Sequence, residues 1–172
     1  NDSADALVIC VHGFTGTPYE VAPAMRAISN MGLPAVSPLL PGHGYQDRYE
    51  QEREFARITK ERMLAAARQE IARAREQYSR VGRVGFSMGG TIALTMAAEG
   101  LLDACAVAAP ALRLSRKAEI LIPLLSWASF TLEAPPQEAF YLPVYEFHHS
   151  WALRTLWQLG CHARYQLPQV QC

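Results

Sequence analysis

Ten residues constrain this chain more than any others: Val81-Gly82-Arg83-Val84-Gly85-Phe86-Ser87-Met88-Gly89-Gly90. They read as a short apolar strand, a tight turn and the start of a helix, with a serine at the tip of the turn. A serine held on so sharp a strand-to-helix turn has a strained backbone. Its neighbours two before and two after, Gly85 and Gly89, must be small, or their Cβ atoms would collide across the turn. Gly90 leaves room for the following helix to pack on a sheet. The free N–H groups of that helix and the positive end of its dipole then lie beside the serine oxygen. The bland alternative is a glycine-rich turn with no chemistry. Context argues against it, because an apolar run precedes the turn and an Ala/Leu/Met helical pattern (Thr91 to Ala98) comes after it.

Strands and helices alternate through the first two-thirds of the chain. Ala6 to Val11 is a continuous apolar run, as expected of a strand covered on both faces of a parallel sheet. It leads into His12-Gly13-Phe14-Thr15-Gly16-Thr17-Pro18, where glycines permit a sharp turn with exposed N–H groups. At the carboxyl end of a central strand this loop lies beside the serine turn, where open α/β sheets bind ligands. The N–H groups of Phe14 and Met88 are the first candidates to stabilise an oxyanion there. His12 reads as a loop brace rather than a proton carrier. Thr17, Pro18 and Glu20 fit a capping box at a helix start, with Val21, Met25 and Ile28 on one face and Gly32 as the stop. Pro34 to Pro38 is a short second strand. Pro41-Gly42-His43-Gly44 is a loop in which His43 reads as a turn residue, and Asp47 after it likewise.

Thr59 to Tyr78 has the clearest helical period, through Leu64, Ala67, Ile71, Ala74 and Tyr78, with Met63 adjoining. Strand Val81–Phe86, a helix closed by Gly100 and a buried strand Ala104–Ala109 complete an α/β pattern with right-handed crossovers. From Leu112 the pattern changes. Ile120 to Trp127 is apolar but broken by Pro123, and Pro135-Pro136 and Pro143 interrupt the next stretch. Phe130, Phe140, Tyr141, Tyr145 and Phe147 supply aromatic bulk. Ser150 to about Arg164 is helical again, with Leu153, Leu156 and Leu159 on one side. No strand is evident after Leu112. The expected organisation is an α/β core over 1–111, a helical cap over 112–165 making an apolar pocket, and a return to the core at 166–172.

Composition sets outer limits. With 172 residues, half of them hydrophobic and a formal net charge of zero, the chain can build one core and implies no polyanionic partner such as nucleic acid. Arginines between Arg53 and Arg83 alternate with glutamates, as on a solvated helix face. Cys10, Cys105, Cys161 and Cys172 form no CxxC pair, and the first two read as buried thiols rather than a disulfide framework. No stretch is long and apolar enough to span a membrane, no signal peptide is visible, and the cytoplasm is the default expectation. No residue cluster implies a metal or organic cofactor.

His12-Gly-Phe-Thr-Gly16, Pro41-Gly-His-Gly44, Gly85-Phe-Ser-Met-Gly-Gly90 and the helical insertion together resemble the α/β-hydrolases. More narrowly the chain is similar to the bacterial carboxylesterase and monoacylglycerol lipase group, with its serine aminopeptidase relatives. The resemblance implies Ser87 as nucleophile, the Phe14 and Met88 N–H groups as oxyanion hole, and a small apolar ester of short or medium acyl chain, or a monoacylglycerol, as substrate. It also implies a triad acid and then a histidine late in the chain. Neither is present after Leu167, and domains of this class commonly need about 200–250 residues, so the chain reads as a hydrolase cut before its last strands. His148, His149 and His162 lie in the expected cap, Asp103 at the wrong end of a strand. The segment alone is therefore expected to be nearly inactive, since loss of a triad leaves only about 10³–10⁴-fold acceleration over water. An unpaired sheet edge also predicts aggregation or marginal stability. Two other readings stay open: a non-catalytic hydrolase-fold binding protein, and a peptidase or thioesterase of the same fold.

Overall fold

The computed structural model describes residues 5–134 and 143–172. Four parallel strands form its sheet: β1 (Ala6–Val11), β2 (Ala35–Val36), β3 (Arg80–Phe86) and β4 (Ala104–Ala108), in the order β2-β1-β3-β4. Helices α1 (Ala22–Asn30), α2 (Arg48–Phe55), α3 (Lys60–Arg75) and α4 (Met88–Ala98) fill the connections. The register places Val11 beside Gly85 and Phe86 beside Ala108, so the carboxyl ends of β1, β3 and β4 lie together.

Strand alternation decides which helix covers which face. Cys10 packs with Val21 and Ile28 of the α1 region, and Val8 and Val84 join them. Leu7, Ile9, Val11 and Val81 point the other way, into the main core with Met63, Leu64, Ala67 and Ile71 of α3 and Ile92 and Met96 of α4. On that same face Arg83 of β3 is wholly buried, paired with Glu70 of α3 at 3.2 Å. Pro34 and Pro38 flank β2 and offer no N–H to a ladder, which keeps that strand to two residues.

The helix expected over 59–78 is α3, with Thr59 as N-cap accepting from the Arg62 N–H. Several expectations require correction. The capping box at Thr17 does not form. Pro18–Val21 is a 3₁₀ turn, Thr17 makes no side-chain cap bond, and the Glu20 carboxylate goes elsewhere. Asp47 is not a plain turn residue but the N-cap of α2, accepting from the Glu50 N–H at 3.0 Å. Helix α2 escapes a periodicity search because only Phe55 of its eight residues is buried. Strand β4 exists but is mostly exposed, not buried. It is the last strand in the sheet order, and among the described residues no strand pairs with its outer edge.

After β4 the chain forms α5 (Arg116–Leu125), β5 (Thr131–Glu133), β6 (Phe147–His149) and α6 (Ser150–Gln166). Pro123 lies inside α5 rather than ending it. No residue of α5 is buried, so the carbonyl deprived of a donor is not sealed from water. Strands β5 and β6 pair antiparallel, although no strand was expected here. Each has three residues, too few for an alternating pattern to show. Helix α6 packs against α4 and carries Leu156 and Leu159 into the main core. Pro135-Pro136, Phe140 and Tyr141 lie outside the described residues. No described helix is long and apolar enough to cross a membrane.

Candidate active site

Ser87 follows the last residue of β3 and caps α4, with φ 51° and ψ −115°. A non-glycine residue in that region is strained by roughly 1–3 kcal/mol and persists only where its surroundings impose it. Here β4 and the turn after it do so. The Ser87 N–H donates to the Ala108 carbonyl at 3.0 Å, and the Ser87 carbonyl accepts from the N–H groups of Thr91 and Ala111, each at 3.1 Å. Ala109, between those partners, is itself at φ 46°.

The small residues are required by contact. A Cβ on Gly85 would strike the backbone of Gly89 and Gly90. One on Gly89 would strike the carbonyl oxygens of Val11 and His12. The start of α4 is thus pressed against the end of β1. Gly90 approaches Pro110 and the Gly85 carbonyl in the same way. On the other side of Ser87, a Cβ placed on Gly13 would come within 3.4 Å of the Ser87 Cβ. The His12–Gly16 loop and the serine turn therefore adjoin, as their sequences imply.

Several backbone groups of this loop are held by side-chain partners. His12 is fully buried, accepts from the Leu40 N–H through Nε2 at 3.2 Å, and meets the Gly13 carbonyl with Nδ1 at 3.0 Å. A ring that accepts at Nε2 carries its proton on Nδ1, so it is a neutral donor to Gly13. The same carbonyl accepts from the Gly16 N–H at 3.3 Å. The peptide is planar and trans, so its carbonyl and its N–H point in opposite directions. Pinning the Gly13 carbonyl on one side therefore aims the Phe14 N–H to the other. The Phe14 carbonyl is fixed in turn by His43 Nε2 at 2.5 Å. His43 also faces the Pro41 carbonyl at 3.0 Å with Nδ1. Burial pushes the His43 imidazole down, and its contacts with the backbone of Phe14 and Pro41 oppose that shift. Neither Phe14 N–H nor Met88 N–H has an acceptor among the described residues.

Burial, reinforced by His43, pushes the His12 imidazole down to about 3. The unfolded value is near 6.5. Protons therefore bind the unfolded chain more readily between those values, and stability falls as pH drops through that window. The stabilising difference between wild type and His12→Gln is expected to shrink by about 2–3 kcal/mol from pH 7.5 to pH 4.5. Urea midpoints of both proteins at the two pH values check this, and a pH-independent difference would contradict it.

An aromatic cluster brings the segment after residue 142 onto the loop. Phe14 lies 4.9 Å from Phe55, Tyr145 lies 5.3 Å from Phe55, and the Tyr145 N–H donates to the Thr15 carbonyl at 2.9 Å. A cleft of about 500 Å³ adjoins, lined by Thr17, Tyr19, Leu39, Tyr45, Pro143 and Tyr145.

No histidine hydrogen-bonds to Ser87 among the described residues. His149 contacts Ser129 Oγ and the Trp151 N–H. The His148 ring stands 5.9 Å from Phe14, and its Nδ1 is buried without a partner among the described residues. His162 lies on α6. Asp103 sits at the amino end of the strands, on the Val81 N–H and Arg75, away from the serine turn. Sequence reading missed Glu20, whose carboxylate accepts the Gly13 N–H at 2.6 Å.

A parallel sheet with helices on both faces, and a strained serine between the third strand and its helix, define the α/β-hydrolase fold. The chain belongs to the alpha/beta hydrolase family, whose model matches residues 8–168. It is 33% identical over 100 residues to a thermostable monoacylglycerol lipase of Bacillus sp. (strain H-257), a match covering 58% of this chain and 38% of that enzyme. A structure reported for metagenome-derived lipolytic enzymes superposes with a TM-score of 0.86 at 22% identity, covering 99% of this chain and 70% of the other. A monoglyceride lipase of Saccharomyces cerevisiae, in complex with a substrate analog, gives 0.74 at 15% identity, covering 94% and 61%.

Proposed function

We infer that the complete protein is a serine hydrolase acting on carboxylic esters through an acyl-enzyme on Ser87. The observation that carries this is the strained Ser87 set against a loop whose Phe14 N–H and helix-start Met88 N–H lack acceptors among the described residues. Ser87 Oγ attacks the ester carbonyl, and the oxyanion settles on those two donors. The alcohol leaves, and water then hydrolyses the acyl-enzyme. Among the described residues no acid or histidine is bonded to Ser87, so this reading assigns the nucleophile and the oxyanion donors and names no general base. The 172-residue chain by itself turns over ester slowly.

The likeness to a monoacylglycerol lipase supports an apolar acyl ester as substrate. In this reading the 112–165 insertion divides its work. Helix α6 carries Leu156 and Leu159 into the core, while α5 and the turn after it offer exposed apolar surface, Ile120, Leu124 and Trp127, to an acyl chain. That no histidine bonds to Ser87 among the described residues favours a second reading, a hydrolase fold that binds an apolar ligand without turnover.

A fluorophosphonate probe separates the two. The complete protein is expected to gain one phosphonyl group, located on Ser87 by peptide mass mapping. An intact mass unchanged after prolonged exposure would favour the binding protein.

A further inference from the structure

Glu20 breaks a local rule. Its position after Thr17-Pro18 suits a capping box, in which the carboxylate would reach back to the Thr17 N–H. Instead Thr17 Oγ1 is buried without a partner among the described residues, and the Glu20 carboxylate crosses to the Gly13 N–H at 2.6 Å. Burial raises the Glu20 carboxyl and the Gly13 bond opposes that rise. No ion pair to Glu20 is found among the described residues. A half-buried carboxylate without a cation is unfavourable, and a local cap has been forgone to place it there. Departures of this kind are expected where a site rather than the fold is being served.

The loop is shaped around this carboxylate. A Cβ on Gly16 would come within 2.5 Å of Glu20 Oε2, and one on Gly13 within 3.0 Å. Gly13 is therefore held from both sides: its N–H by Glu20, its carbonyl by His12 and Gly16. The next N–H along the chain is that of Phe14.

We propose that Glu20 is a positioning residue for the oxyanion loop: its carboxylate anchors the Gly13 N–H and so fixes the peptide that presents the Phe14 N–H to Ser87. This rests on the serine-hydrolase reading above. Anchoring also keeps Gly13 itself from serving as an oxyanion donor, because its N–H is already occupied. The role requires an acceptor oxygen at position 20, not a charge. Glutamine can supply that oxygen and alanine cannot.

The test compares wild type, Glu20→Ala and Glu20→Gln in the complete protein. Kinetics on a p-nitrophenyl ester are normalised to active sites titrated with fluorophosphonate. In parallel, the Gly13 amide proton is followed by NMR in protein labelled with ¹⁵N-glycine. Glu20→Ala is expected to lower kcat about 10- to 100-fold with KM within about threefold, since a displaced oxyanion donor acts on the transition state. Glu20→Gln is expected to stay within about threefold of wild type. The Gly13 amide should move upfield in Glu20→Ala and stay near its wild-type position in Glu20→Gln. A kcat for Glu20→Ala within twofold of wild type would overturn the proposal, as would an equal loss in both variants. If the wild type neither hydrolyses ester nor takes the probe, the Ser87 reading fails separately, and the amide decides whether Glu20 anchors the loop. If Glu20→Ala does not fold, wild type and Glu20→Gln decide: a Gly13 amide proton downfield and protected from exchange in both supports the anchor, and one in wild type exchanging as fast as an unbonded amide refutes it.

Discussion

Ser87→Ala is expected to lower kcat/KM of the complete protein on a p-nitrophenyl ester by about 10⁴- to 10⁶-fold, with the fold unchanged. The magnitude follows from removing the atom that forms the acyl-enzyme, which leaves only the oxyanion donors and binding to act on the ester. The fold should survive because alanine keeps the Cβ that the turn already accommodates. Its backbone bonds to Ala108, Thr91 and Ala111 involve no side-chain atom of residue 87. Steady-state hydrolysis with matched circular dichroism checks both halves. Turnover within tenfold of wild type in a well-folded variant would remove Ser87 from the mechanism.

Gly89→Ala is expected to cost more than about 3 kcal/mol of stability, with little soluble protein recovered. The new Cβ would meet the Val11 and His12 carbonyl oxygens, which belong to backbone and cannot rotate away. Relief requires lifting α4 off the end of β1, which would also uncouple the serine turn from the oxyanion loop. Gly100→Ala is the control. Its Cβ would enter open space, and only the positive φ of 71° opposes it, a penalty of about 1 kcal/mol. Chemical denaturation of both variants checks the contrast. Similar costs at the two positions would mean that the close approach at Gly89 is relaxed at little expense.

Both predictions concern residues that sequence alone singled out. The serine turn is a contiguous run in which Gly85 answers a steric demand from Gly89 and Gly90, four and five residues on, although the demand on Gly89 itself comes from Val11 and His12 at the end of β1. The apolar run of β1 and the regular stripe of α3 are likewise patterns within a single element. His12 was legible as a brace because it adjoins Gly13 in sequence, although its Leu40 partner was not.

Tertiary structure decided what depended on distant partners. Glu20 looks like a helix-capping residue until the turn after β1 folds back over it, when the Gly13 N–H becomes the nearer donor. Helix α2 has too few apolar residues to announce itself, and is held by the Asp47 cap and by Phe55 inserted among Phe14, Tyr145 and Phe147. Strand β4 has the composition of a buried strand, yet burial needs a neighbour on each side, and among the described residues it has one. The amino-acid sequence by itself thus determined the strained serine, Gly85 before it and the strand–helix alternation, because each is settled by sterics or periodicity within a few residues. Which carboxylate anchors the oxyanion loop, which strand stands at the edge and which histidines lie away from Ser87 were decided only by the packed chain, because hydrogen bonds and burial between distant segments leave no local pattern to read.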